Sequence, residues 1–194
     1  MAAAILLDQR QSRGGYDLVE PWLRDMEDPS LAFLLPFERT AGDEMEALID
    51  DAATLTEVVL RALRTSAWWI GVGIGSVEQP LPESVRQSQG SAFVLARQAI
   101  QEAKAQPGRI RVLAEGRDAG DLEAALLLMG VLFSRRHNPD SPVNRLRKSG
   151  LTIVQIADQL GITKQAVSQQ LRVARTEEQA GRRLVEHLAE AVLR

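Results

Sequence analysis

The stretch LTIVQIADQLGITKQAVSQQLRVAR, residues 151–175, has the pattern of two short helices joined by a tight turn. Ala157 falls where the two helices would approach closely, and Gly161 falls where the first helix would end and turn. Thr163 follows at a position where a side-chain oxygen can cap the second helix. The apolar residues recur at the 3.6-residue period of packed helices. The predicted core consists of Ile153, Ile156, Leu160, Ile162, Val167 and Leu171. We therefore predict a helix-turn-helix.

The outer face of the second helix carries hydrogen-bonding and cationic side chains and no carboxylate, which favours a DNA-binding surface over a plain solvated helix. A plain helical pair is the alternative, but the pattern extends through the whole stretch. The residues expected to contact DNA are Thr163, Lys164, Gln165, Ser168, Gln169 and Arg172. Those expected to contact phosphates are Arg145, Arg147, Lys148 and Arg175.

The distribution of charge agrees with this prediction. The chain has 194 residues and a net charge of −3, but residues 1–120 carry 12 basic and 18 acidic side chains. Residues 135–175 carry 8 basic side chains and 2 acidic ones. An acidic first part and a basic rear part suit a regulator whose rear domain is attracted to DNA.

Composition excludes several other classes of protein. The chain has no cysteine, so neither disulfides nor thiolate zinc sites can form, and its two histidines, His137 and His187, lie far apart. No apolar run is long enough for a membrane span, and the first residues lack the pattern of a signal peptide. We therefore expect a cytoplasmic protein without membrane association.

Residues 1–115 alternate between strand and helix patterns, which predicts a small sheet covered by helices, an α/β (α+β) fold of the ferredoxin-like or palm type. The predicted strands are 2–8, 31–40, 44–49, 67–77 and 109–115, and the predicted helices are 14–27, 51–64 and 90–105. Strands 31–40 and 44–49 form a hairpin around Gly42 and Asp43.

Three segments follow from these patterns: an α/β domain over 1–117, a connector helix and linker over 118–141, and a helix-turn-helix domain over 142–194. The apolar helix 121–136 would be a connector or a dimer face. The segment HNPDSP, 137–142, has the prolines and turn residues of a boundary. A separate final helix is predicted over 177–193, and its stripe of Leu184, Leu188 and Val192 would pack on the helix-turn-helix or form a dimer seam.

Acidic residues form a second candidate site. Asp8 ends the first strand, and Asp43 and Glu44 lie at the hairpin turn. Because the first strand should neighbour the hairpin, these carboxylates would converge at one edge of the sheet. Carboxylates held close together repel one another and favour a hard cation such as Mg²⁺. Strand-end capping by Asp8 and a solvated hairpin tip are the alternatives.

The acidic hairpin and several other motifs of this part of the chain resemble those of known families. Gly42-Asp43-Glu44-Met45 before an apolar strand resembles the hairpin of GGDEF and class III nucleotide cyclase domains. With Asp8, Ser12-Arg13, GVGIG (71–75) and GSAFVLARQA (90–99), residues 1–115 resemble the SatD family, in relatives of which a helix-turn-helix also occurs. The resemblance implies a cyclase-like palm, with Asp8 and Asp43 as metal ligands and a nucleotide near Ser12, Arg13 and Gly42.

The glycines invite two further hypotheses about ligands. GVGIG lacks the third glycine and the immediate helix of a dinucleotide-binding loop, so we reject a nicotinamide site and expect close backbone approach instead. Gly90 begins a helix whose free N–H groups could bind an anion, with Arg97 on the same helix. A surface salt bridge is the alternative role for Arg97.

Three functions remain open from the sequence. The first is a dimeric DNA-binding regulator whose α/β domain dimerises or senses a nucleotide, since one helix-turn-helix reads few base pairs. The second is an Mg²⁺-dependent nucleotide-processing enzyme tethered to DNA. The basic residues near the acids, Arg13, Arg39 and Arg97, are few for phosphoryl transfer, which favours binding over turnover. The third is a protein-interaction module without a ligand.

Overall fold

The computed structural model of the protein describes residues 1–10, 16–136 and 142–194. Its strands are β1 (Ala2–Gln9), β2 (Leu35–Ala41), β3 (Glu44–Ile49), β4 (Trp68–Gly75) and β5 (Ile110–Ala114). Its first helices are α1 (Val19–Asp25), α2 (Ala52–Thr65), α3 (Ser91–Ala105) and α4 (Gly120–Arg136), with a 3₁₀ turn at Val85–Gln87. The last helices are α5 (Pro142–Lys148), α6 (Ile153–Leu160) and α7 (Lys164–Leu193).

The five strands form one mixed sheet in the order β2-β3-β1-β4-β5. β1 is central and antiparallel to both β3 and β4, while β5 is parallel to β4. The first four strands therefore have the ferredoxin-like order, and β5 extends the sheet through the α3 crossover. The α+β class and the helix-covered sheet predicted from the sequence are confirmed.

Helices cover both faces of the sheet. Alternate residues of β1 point to opposite sides: Ile5 and Leu7 join a large core cluster with α1, α2 and α4, and Leu6 joins a smaller cluster under α3. In the large cluster, the indole of Trp22 packs edge-on against Trp68, with ring centroids 5.5 Å apart. All three side chains of β1 named here are buried, which makes this strand the centre of the domain.

The predicted strand 31–40 is shorter in the structure, because its first residues are anchored to a helix instead of to the sheet. Leu31 N donates to Asp28 O in a turn, and Ala32 N donates to Thr54 Oγ1 of α2 at 3.0 Å. The strand begins only at Leu35. The predicted helix 14–27 is also shorter and begins at Val19, with Pro21 in its first turn.

The glycines of GVGIG allow β4 and α3 to approach closely, as the sequence predicts. A Cβ on Gly71 would lie 2.6 Å from Ile100 N, and one on Gly75 would lie 2.9 Å from Ala92 N. No other residue has room there. The motif therefore shapes the contact between the sheet and α3.

The helix α4 contributes one face to the large core cluster through Leu122, Leu126, Met129 and Phe133. Its opposite face exposes Leu128 and Val131. This helix was predicted to be a connector or a dimer face, and the structure packs it on α2 and α7. Residues 137–141 of the predicted boundary lie outside the described residues.

The prediction of a separate final helix over 177–193 is wrong, because α7 continues without a break through 30 residues. No proline interrupts it, and its glycine, Gly181, packs on Met129 of α4. The C-terminal half of α7 joins the large core cluster through Val185, Ala189 and Val192 instead of packing on the helix-turn-helix. Among the described residues, no helix is both long enough and apolar enough to cross a bilayer.

Candidate functional site

The turn between α6 and α7 is fixed by caps at each helix end. Thr152 and Gln155 form a capping box at the start of α6, in which each side chain accepts the other's backbone N–H. Gly161 ends α6 with φ +64°, a conformation that favours glycine, and Ile162 N donates back to Ala157 O at 3.1 Å. Thr163 Oγ1 then accepts from Ala166 N at 3.1 Å and caps α7. The sequence predicted the positions of Gly161 and Thr163.

A small core holds α5, α6 and the beginning of α7 together. Its buried members are Val143, Ile156, Ala157 and Val167. Ala157 is small enough to sit between α6 and α7, as the sequence predicted. Packed around these residues are Leu146, Leu151, Ile153, Leu160, Ile162 and Leu171. The arrangement is a three-helix unit with α7 as the second helix of the helix-turn-helix.

The first turns of α7 present the predicted polar face to solvent. Lys164, Gln165 and Ser168 are exposed, and Gln169 and Arg172 continue this face one turn further along the helix. Thr163 is exposed as well, although its hydroxyl is committed to the helix cap. These side chains project from a helix whose other face is buried in the small core, so their spacing along the surface is fixed.

The flanking basic residues surround this face on two elements. Arg145 and Arg147 are exposed on α5, and Arg175 is exposed on α7. The guanidinium of Arg147 also donates to Leu151 O at 3.1 Å, which ties α5 to the loop before α6. The side chain of Lys148 lies outside the described residues.

Ion pairs join the middle of α7 to the α/β body. Arg182 pairs with Glu57 of α2, and Glu178 pairs with Arg64 of the same helix. Burial opposes ionisation of Glu57, but hydrogen bonds from Arg61 and Arg182 outweigh it and lower the pKa of its carboxyl. The helix that carries the polar face is therefore a continuous rod anchored on the sheet domain.

The structure brings Asp8 and Glu44 directly together, and the charge of Asp43 also acts on Glu44. Asp8 of β1 stands opposite Glu44 of β3 in the antiparallel register. Lys104 of α3 faces both carboxylates: its Nζ is 2.5 Å from Asp8 Oδ2 and 3.7 Å from Glu44 Oε1. Burial, a hydrogen bond with Asp8 and the negative charge of Asp8 raise the pKa of Glu44. Asp43 contributes its backbone carbonyl, which accepts from Gln9 N at 3.3 Å.

An ammonium group therefore already pairs with two of the acids that were predicted to hold Mg²⁺. A divalent ion at Asp8 and Glu44 would have to compete with Lys104. Within 1–10, 16–136 and 142–194, no group of three or more carboxylate or histidine side chains is arranged to hold a metal. Sequence reasoning missed Lys104, because nothing in its local sequence links α3 to the strand ends.

A cleft of about 420 Å³ lies beside this pair, between the β2–β3 hairpin and α3. Glu46 lines it although only 3% of this residue is exposed, and its Oε1 has no hydrogen-bond partner. Burial raises the pKa of Glu46 to about 7, against the opposing effect of the Arg97 charge. Arg97 and Arg86 line the same cleft. We call this cavity the Glu46 cleft.

Neither Gly42 nor Gly90 lines the Glu46 cleft, although Gly42 follows Ala41, which does. Ser12 and Arg13 lie outside the described residues. Gly42 forms the hairpin turn with φ +58°. At Gly90, the α3 N-terminus already uses the chain's own groups: Ala92 N donates to Ser76 O, and Ser91 Oγ donates to the Glu115 carboxylate at 2.5 Å. A carboxylate at that position disfavours a bound anion.

Glu46 could have been found from the sequence. In EMEALI, 44–49, it is a charged residue between apolar neighbours, two residues from Glu44 and hence on the same face. Arg86 offered no comparable signal, because its place depends on how the 79–90 loop folds over the hairpin.

Comparisons of the chain with protein-family models, with curated proteins and with solved structures find no match. The resemblance to the SatD family and to cyclase-like palms therefore remains a prediction from the residues quoted above.

Proposed function

We propose that the protein is a sequence-specific DNA-binding transcriptional regulator that acts in the cytoplasm as a homodimer. The observation that carries this proposal is the exposed, carboxylate-free face of α7, formed by Lys164, Gln165, Ser168, Gln169 and Arg172 on a capped helix-turn-helix. Amide and hydroxyl side chains read base edges, and the cationic side chains attract phosphates.

The surrounding charges support the same proposal. Arg145, Arg147 and Arg175 are exposed beside this face, where they can contact phosphates on either side of a major groove. Because α7 is anchored on α2 and α4, movement of the α/β body would be transmitted to the DNA-contacting face. The α/β domain would then serve dimerisation or the sensing of a nucleotide.

A dimer solves the problem that one helix-turn-helix reads few base pairs. The exposed apolar residues Leu128 and Val131 on α4 offer a surface for such pairing. The enzymatic alternative is less well supported, because Lys104 pairs with the acids that would hold its metal ion.

The experiment is selection of duplexes from a random pool by the purified full chain, followed by titration of the selected duplex and of a scrambled one. We expect a short, twofold-symmetric motif. The double substitution Gln165→Ala with Gln169→Ala should remove the preference for the motif and retain salt-sensitive binding to both duplexes.

The matched control is Gln89→Ala with Gln106→Ala, which removes two exposed amides from the α/β body. It should leave the preference unchanged. Enrichment of no motif, or an equal loss on both duplexes in the α7 variant, would contradict base reading by these residues.

A further inference from the structure

Glu46 is a buried acid, and one of its carboxyl oxygens has no hydrogen-bond partner among the described residues. It is 3% exposed and lines the Glu46 cleft, and its Oε1 makes no hydrogen bond to the described part of the chain. A buried polar atom without a partner costs about 1–3 kcal/mol. A molecule in the cleft with an N–H or O–H group could satisfy this atom.

Two arginines from different elements line the same cleft. Arg86 belongs to the 3₁₀ turn and Arg97 to α3, and both are exposed. Among the described residues, neither guanidinium has a carboxylate within 4.0 Å, whereas Arg61 and Arg111 each pair with two or more acids. Guanidinium groups match oxyanions such as phosphate, sulfate and carboxylate.

We infer that the Glu46 cleft binds a small molecule that carries an oxyanion for Arg86 and Arg97 and a hydrogen-bond donor for Glu46. The cavity of about 420 Å³ falls in the range of small-molecule sites. This site is separate from the DNA-contacting face of α7, and the inference does not depend on the proposed function.

Two further acids lie beside the cleft, and each already has a partner in the chain: a hydroxyl for one and an ammonium for the other. Glu38, opposite Glu46 on β2, accepts from Ser84 Oγ at 2.6 Å. Glu44, on the same strand, faces Lys104. The charged groups that surround Glu46 are Arg97 from α3, Arg86 from the 3₁₀ turn, and the neighbouring acids Glu38 and Glu44. Of these, the charges of Arg97 and Glu44 act on its pKa.

Binding of an anion should be linked to the protonation of Glu46. An anion bound to Arg97 weakens the attraction between this guanidinium and the Glu46 carboxylate, and it also repels the carboxylate. The anion should therefore bind more tightly when Glu46 is protonated. Affinity for the anion should rise as pH falls through about 7, the pKa of Glu46. Sulfate is a suitable probe because its own charge is constant over this range.

The experiment titrates the full chain with sodium sulfate by calorimetry at pH 6 and pH 8, with chloride keeping the ionic strength constant. We expect saturable binding that is about fivefold tighter at pH 6. Arg97→Gln and Arg86→Gln should each weaken it about tenfold, since each removes a charge-assisted contact. Arg24→Gln, at an exposed arginine of α1, is the control and should change nothing.

Glu46→Gln should bind sulfate with the same affinity at both pH values. Because Arg86 and Arg97 are exposed, their variants should fold even if Glu46→Gln does not. The two arginine variants are then sufficient to test whether the cleft binds the anion. Absence of saturable sulfate binding, or binding that both arginine variants leave intact, overturns the inference. Equal pH dependence in Glu46→Gln and the native chain overturns the role of Glu46.

Discussion

Gly73 of β4 lies directly against the backbone of Ala96 in α3, so that a Cβ on residue 73 would come 2.8 Å from Ala96 Cα. It would approach the carbonyl of Ala92 more closely still. Neither neighbour is a flexible side chain that could turn aside. The distance between the sheet and α3, which also sets one wall of the Glu46 cleft, therefore depends on the absence of a side chain at this position.

Gly73→Ala should destabilise the protein by about 3 kcal/mol, because the helix must move away from the sheet to admit the methyl group. Urea denaturation followed by circular dichroism measures the loss. Gly130→Ala on α4 is the matched control, since its Cβ would meet only Leu63 Cδ2 at 3.4 Å. That variant should stay within about 1 kcal/mol of the native chain. Equal stability of both variants would show that α3 can shift freely.

Local pattern was sufficient to predict much of the fold. The alternation of apolar residues located the strands, and the helix period with Gly161 and Thr163 located the helix-turn-helix. These features depend on neighbours within a few residues along the chain. The same reasoning failed for α7, because its continuity depends on long-range partners: Glu178 and Arg182 pair with α2, more than a hundred residues earlier.

The candidate sites also differ in how far they could be predicted from the local sequence. The exposed face of α7 follows from helix periodicity, so each of its residues could be named from the sequence. The partner of Asp8 could not, since Lys104 lies 96 residues away and reaches it only after α3 packs across the sheet. Arg86 and Glu46 meet in one cleft for the same reason.

The stability of the protein should depend on pH through the titration of Glu46. Its pKa is raised in the folded state to about 7 from an ordinary value of 4.5, so the folded protein binds the proton more tightly than the unfolded chain. The contribution of Glu46 to the free energy of unfolding therefore falls as pH rises from about 4.5 to about 7, and it is constant above pH 7. The shift corresponds to at most about 3 kcal/mol.

Glu46→Gln removes this titration. The variant should match the native chain near pH 4.5 and exceed it in stability above pH 7, as measured by urea denaturation across the pH range. The difference between the two curves isolates Glu46 from the acids whose pKa values are lowered, such as Asp28 and Glu57. Parallel curves from pH 4.5 to pH 8 would mean that folding does not raise the pKa of Glu46.

The cap at the start of α7 should hold the exposed polar face of its first turn in place. Thr163→Ala removes the acceptor for Ala166 N and should cost about 1 kcal/mol locally. Hydrogen exchange should accelerate in the first turn of α7 and in α6, with little change in β1 or α2. Thr176→Ala, whose hydroxyl donates to Arg172 O inside the helix, is the control. Uniform acceleration through the whole chain would contradict a local role for the cap.

The acids at the strand ends provide the last prediction. In Lys104→Met, Asp8 and Glu44 would face each other without the ammonium that now lies beside them, so their repulsion should destabilise the fold by about 1–2 kcal/mol. A divalent cation could then take the place of that charge. We expect MgCl₂ to raise the Tm of this variant more than NaCl of equal ionic strength does, and to do so less in the native chain. Lys164→Met, on the exposed face of α7, should respond equally to both salts. If magnesium stabilises the native chain as much as Lys104→Met, the metal does not compete with Lys104 for these carboxylates. If it stabilises neither, Asp8 and Glu44 do not bind the metal, and their pairing with Lys104 is purely structural.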